Sequence, residues 1–185
     1  MKITVFGAEA IGGNLARKLS LAGHHVQVAD ARGPEAVAAE VLEAGTRAVA
    51  LDESVQGRGA ILLSIPFEVA GKPADLFANV PAETVVIDTS NHYPHLNERI
   101  EAVEDGGKVE SVYTSELLGR PVGKAWNAAL AETQRTRGVP AGTPGRIAIP
   151  VAGDFEEARK VAMSLVDDAG FDPYDAGVVA NSWRL

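Results

Sequence analysis

The first thirty residues confine this chain to a narrow set of folds. An apolar run from Ile3 to Phe6 meets Gly7, and a helical pattern follows in which Ile11, Leu15 and Leu19 recur every four residues. Gly23 ends that pattern, and a second apolar run covers His25 to Ala29. Strand, helix and strand in this order predict a βαβ unit whose helix packs the Ile11, Leu15 and Leu19 face on the sheet.

The alternation continues. Pro34 opens and Gly45 closes a second expected helix, and a short strand is expected over Arg47 to Ala50. The apolar runs Ala60 to Ile65 and Thr84 to Asp88 read as strands buried on both faces. The whole predicts an α/β protein with a Rossmann-type doubly wound parallel sheet. Residues 1–120 are expected to form an NAD(P)-binding domain, with residues 121–185 as a smaller C-terminal α/β portion that packs on it and closes the cleft. In that portion Val122 to Trp126 and Arg146 to Ala152 read as strands. A helix should follow, capped by Asp154 and burying Phe155, Ala158, Val161 and Leu165. The intervening TRGVPAGTPG reads as a long exposed loop, either a lid or a plain connection.

Dinucleotide turns need one glycine for the bend, one for close approach of the pyrophosphate and one where helix meets strand. The segment here is Gly7, Ala8, Glu9, Ala10, Ile11, Gly12, so the first and third are present and the second is Glu9. A carboxylate beside a phosphate is costly: two like charges about 4 Å apart at an effective dielectric near 20 repel by roughly 4 kcal/mol. A side chain turned toward water would lower that cost. At the end of the second strand an acidic residue bonds the ribose 2′-hydroxyl of NAD, whereas an Arg accommodates the 2′-phosphate of NADP. The chain offers both, Asp30 and Arg32, separated by Ala31, and the forked guanidinium favours NADP. Arg32 as a solvated loop residue is the plain alternative.

Other chemistries are absent. There is no Cys, and His24, His25, His92 and His95 have no metal-ligand spacing, so no metal site is expected. His92 and His95 read as exposed loop residues. No Tyr is followed four residues on by Lys, and no GxSxG elbow occurs. Ser64, at a strand end, is expected to line the nucleotide crevice. A net charge of -8 without a basic run argues against nucleic acid and anionic membranes. The opening MKITVFG is too short for a signal-peptide core, and a cytoplasmic protein is expected.

The stretches MKITVFGAEAIGGNLARKL, ARGPE, VVIDTSNHYP, VGKAWN and RIAIPVAGDFEEARKVAMSLVDDAGFDPYDAG carry a resemblance over nearly the whole chain. The chain resembles the F420-dependent NADP oxidoreductases, which are related to the nucleotide domain of STEAP metalloreductases. The resemblance implies hydride transfer between NADP(H) and a deazaflavin (F420) or flavin, with no catalytic acid or base, in a homodimer. It places Gly7 to Gly12 at the pyrophosphate, Ala31 and Arg32 at the 2′-phosphate, and Ile65 and Pro66 along the adenosine-nicotinamide crevice. It places Asn91, Lys124, Trp126 and Asn127 beside the second cofactor. Three of the last group have a plain alternative: Trp126 as core, Lys124 as a solvated charge, Asn91 as a turn residue. The chain departs from the family pattern at Glu9 and Ala10, at Ala31, and in closing on SWRL without a Gly/Pro-rich tail, which would leave the cleft more open. The alternative function is a non-catalytic dinucleotide-binding or redox-sensing module whose glycine loop is impaired by Glu9.

Overall fold

The computed structural model describes residues 1–184. β1 (Lys2–Phe6), α1 (Ala10–Leu21) and β2 (His25–Ala29) form the expected βαβ unit. Leu15 and Leu19 of α1 are fully buried, and Ile11 packs at the margin of the same cluster.

The single helix expected between Pro34 and Gly45 is instead a 3-10 turn, Pro34–Ala36, and a one-turn α2, Ala39–Leu42. Val37 and Val41 are the buried residues of this segment. Two anchors hold too little apolar surface on the sheet to stabilise a longer helix. There follow β3 (Arg47–Val49), β4 (Ala60–Leu63), α3 (Ala74–Phe77), β5 (Val85–Asp88), α4 (Glu101–Glu104), α5 (Glu110–Leu118) and β6 (Gly123–Ala125). The chain closes with α6 (Ala131–Thr136), β7 (Ala148–Ala152), α7 (Glu156–Asp168), β8 (Asp172–Gly177) and a 3-10 segment, Val179–Arg184.

One eight-stranded sheet runs β3-β2-β1-β4-β5-β6-β7-β8. The first six strands are parallel; β7 is antiparallel to β6, and β8 is parallel to β7. The sheet is therefore not parallel throughout. The connection from β6 to β7 holds short α6, which lies against α1, and the loop that follows it. The sheet order reverses direction of growth between β1 and β4, and the carboxyl ends of those strands flank the crevice where ligands of such folds bind.

β4 is buried along its whole length. Its Ala60 and Leu62 join a cluster with Leu15, Leu19, Leu165 and Phe171 on one face. Ile61 and Leu63 join Phe6, Phe77 and Leu118 on the other, the period-2 alternation of a strand covered on both sides.

Helix α7 starts later than expected. Phe155 is its N-cap residue and is exposed, and the buried stripe is Ala162, Leu165 and Val166, with Ala158 and Val161 only partly covered. Asp154 does not cap the helix; its Oδ1 accepts the Val179 N–H at 3.0 Å. The TRGVPAGTPG loop docks at the far end of α1 from the glycine turn. Val139 N–H donates to Gly170 O at 2.9 Å, and Gly138 sits against Lys18. It is a fixed connection and does not cover the crevice.

Candidate functional site

The glycine turn is built against the end of β4. Gly7 has φ 93°, and a Cβ there would lie 2.0 Å from Ser64 O; a Cβ on Gly12 would lie 2.0 Å from Gly7 O. Only hydrogen fits at both positions. Ser64 N–H donates to Phe6 O at 2.8 Å, which holds Ser64 and Ile65 alongside the turn, with Pro66 exposed beyond them. Ala8 and Ile11 are half-buried, while Glu9 and Ala10 face solvent.

Glu9 is the N-cap residue of α1, yet its side chain makes no capping bond, and the first turn holds no acidic residue. The first N–H groups of this twelve-residue helix therefore meet no side-chain acceptor. Together with the helix dipole they form a cradle suited to a pyrophosphate. The residues present fit that group.

The Glu9 carboxylate turns away from the cradle. It is 78 % exposed, and its Oε1 lies 3.6 Å from Arg32 Nη2. Arg32 in turn grips Asp30: Nε donates to Oδ1 at 2.8 Å and Nη2 to Oδ2 at 3.0 Å, while the Arg32 N–H adds a bond to Oδ1 at 3.0 Å. The Ala8 N–H completes the set at 3.4 Å to Oδ2. Hydrogen bonding from Arg32 outweighs burial and lowers the Asp30 pKa to about 2. The same pair raises the Arg32 guanidinium above its ordinary value. Ala31 is exposed between them.

At the other end of the same edge, Asp88 and Lys124 are in-register neighbours on β5 and β6. Lys124 is buried, and its Nζ donates to Asp88 Oδ2 at 3.2 Å, to Glu110 Oε2 at 3.3 Å and to Ser90 O. An ammonium has three protons, and here each has an acceptor. Lys124 is thus a clamp joining two strands to the start of α5, and the solvated-charge alternative is corrected. Asn91 and Asn127 tie the following loops together: Asn91 Nδ2 donates to Asn127 O at 2.9 Å, and Asn127 Nδ2 to Asn91 Oδ1 at 3.1 Å. A cavity of about 550 Å³ is bordered by Asn91, Glu110, Lys124, Asn127 and Ser182. Trp126 does not border it. It is fully buried in the core, in the left-handed region at φ 63°, and its carbonyl accepts Gln134 Nε2 at 3.0 Å.

His92 also differs from expectation. It is buried, with its ring 5.5 Å from that of Phe67, its backbone N–H donating to Glu110 Oε1 at 3.0 Å and its Nε2 3.0 Å from Glu104 Oε1. That contact lowers the Glu104 pKa. His95 is exposed. Sequence reasoning did not single out Asp88, Glu110 or Glu104. The available signal was a carboxylate and an ammonium at the carboxyl ends of two apolar strands, where each demands a partner. Among the described residues no cluster of His, Asp and Glu could hold a metal ion, and no helix is long and apolar enough to cross a membrane.

Residues 2–92 match the model of the family NADP oxidoreductase coenzyme F420-dependent, the family that the sequence resembles. A hypothetical protein from Sinorhizobium meliloti superposes with a TM-score of 0.80 at 28 % identity, covering 98 % of this chain and 87 % of that one. A protein from Arthrobacter sp. FB24 named as an F420-dependent NADP-reductase gives 0.75 at 19 % identity, with 98 % and 87 % covered. The 3-hydroxyisobutyrate dehydrogenase of Mycobacterium tuberculosis gives 0.72 at 16 % identity, and this chain spans 57 % of its length. In sequence, the protein YjhV of Escherichia coli K12 is 52 % identical over 46 residues, 25 % of this chain and 34 % of that relative. The last match spans about a third of that relative's length. The structural likenesses bear out the α/β Rossmann-type fold. The family match supports a dinucleotide-binding oxidoreductase that uses NADP.

Proposed function

We propose that the chain is an NADP(H)-dependent oxidoreductase that passes a hydride between NADPH and a deazaflavin (F420) or flavin. The observation that carries the reading is the uncapped N-terminus of α1 behind a turn where only glycine fits at positions 7 and 12, at the point where the sheet order reverses. Gly7 to Gly12 hold the pyrophosphate, Arg32 the 2′-phosphate, and Ser64, Ile65 and Pro66 wall the crevice.

Bound NADPH supplies the hydride. The chain's own task is to hold donor and acceptor in register and to keep water out, which needs no acid or base. Asn91 and Asn127, fixed to one another, border the acceptor side, and Lys124 acts from behind by locking the strand ends that carry them. A homodimer in the cytoplasm belongs to the same reading.

Calorimetric titration with NADPH and NADH at low phosphate, followed by NADPH oxidation with F420 or with FMN, tests it. Micromolar binding of NADPH with turnover of either acceptor is the expected result. Binding without reduction of any acceptor would replace this reading with a redox-sensing module. No binding of either dinucleotide would remove it.

A further inference from the structure

Arg32 is held on one side only. A guanidinium presents two edges to oxyanions, one formed by Nε with an Nη and the other by the two Nη atoms. Asp30 takes the first edge with both carboxylate oxygens, and Nη1 makes none of these bonds. Asp30 is itself filled, with two donors on Oδ1 and two on Oδ2. It thus presents Arg32 rather than receiving a ribose hydroxyl. Beside the outer edge of Arg32 stands the Glu9 carboxylate, its Oε1 3.6 Å from Nη2, the nitrogen that the two edges share.

Their meeting follows from topology. Glu9 and Arg32 each stand three residues past the end of a strand, and those strands are parallel neighbours with Phe6 opposite Ala29. We propose that Glu9 is a tethered competitor for the 2′-phosphate of NADP(H): its carboxylate stands beside Nη2, at the corner of the outer edge of Arg32, while Asp30 grips the inner edge, and so narrows the preference for NADP(H) over NAD(H). The inference rests on the dinucleotide reading above and assigns to Glu9 a role at the 2′-phosphate, distinct from repulsion at the pyrophosphate.

The two roles separate cleanly. A carboxylate acting at the pyrophosphate weakens every dinucleotide alike, whereas one acting on Arg32 weakens only ligands with a 2′-phosphate. Both partners are exposed, 60 % for Arg32 and 78 % for Glu9, so exchanging one anion for another requires no rearrangement of the core.

The test is calorimetry with NADP+ and with NAD+, which differ only in the 2′-phosphate and need no turnover. Glu9→Gln keeps shape and removes charge at an exposed position. It should tighten NADP+ about fivefold while NAD+ stays within about twofold, the range of an exposed ion pair. The gain should shrink at about 0.5 M salt, where exposed charges are screened. Arg32→Gln should erase both the preference for NADP+ and the gain from Glu9→Gln. Equal tightening of both probes, or none of either, would overturn the proposal and leave the dinucleotide reading standing. If neither probe binds any variant, the dinucleotide reading fails and this inference falls with it.

Discussion

Two clusters of the same charge composition stand on the carboxyl edge of one sheet. At β2, Arg32 lies between Asp30 and Glu9; at β6, Lys124 lies between Asp88 and Glu110. The Arg32 side chain is 60 % exposed and the Lys124 side chain 2 %. Exposure decides what each can do. A buried ammonium with three acceptors cannot exchange partners without leaving a charge uncompensated, so it fixes geometry. An exposed guanidinium with one edge held can change its other partner at little cost, so it can read a ligand.

The contrast can be broken from its larger side first. Lys124→Met strands two carboxylates at the floor of the β5 and β6 ends, and should cost about 3 to 5 kcal/mol in urea unfolding. A loss under 1 kcal/mol would mean the clamp is solvated and the contrast is wrong.

Asp30 comes next. Its folded carboxyl titrates at about 2, below the ordinary value near 3.9. A depressed value stabilises the fold above about pH 4, and the contribution, about 1 kcal/mol because the guanidinium that lowers it is exposed to solvent, is lost as pH falls toward 2. Asp30→Asn should therefore flatten the acid limb of stability in that window. An unchanged limb would show that the Arg32 grip contributes nothing.

The smallest effect is expected at Arg32 itself. Arg32→Gln should change unfolding free energy by less than about 1 kcal/mol, because the side chain is exposed. A larger loss would make Arg32 a structural residue like Lys124 and erase the distinction.

The fold was legible in the sequence where apolar spacing alone decides it. The βαβ unit, the buried run of β4 and the glycine turn all follow from periods of two and four and from one positive-φ glycine. Three features were hidden because they depend on pairings across the chain. His92 is covered by Glu104 on a helix twelve positions on, so a loop residue became a buried one. Lys124 is buried only because β6 lies in register beside β5. The reversal at β7 is a pairing of Lys124 and Ala125 with Ala152 and Val151, which no local pattern announces. The anomaly at Glu9 was visible, but its partner lies on the next strand's loop. Its carboxylate therefore meets Arg32 and not the start of α1.

The seat of Gly7 on the Ser64 carbonyl also sets an order in time. On the ribosome the first βαβ unit emerges with its turn tied to the end of β2 but open on its other side, since the Ser64 backbone that seats Gly7 lies more than fifty residues later and reaches it only when β4 inserts beside β1. Sequence-distant pairings of this kind are slow to close. A newborn chain therefore carries an unfinished nucleotide cradle until its fourth strand arrives, and a nucleotide that favours the finished cradle would draw that insertion to completion.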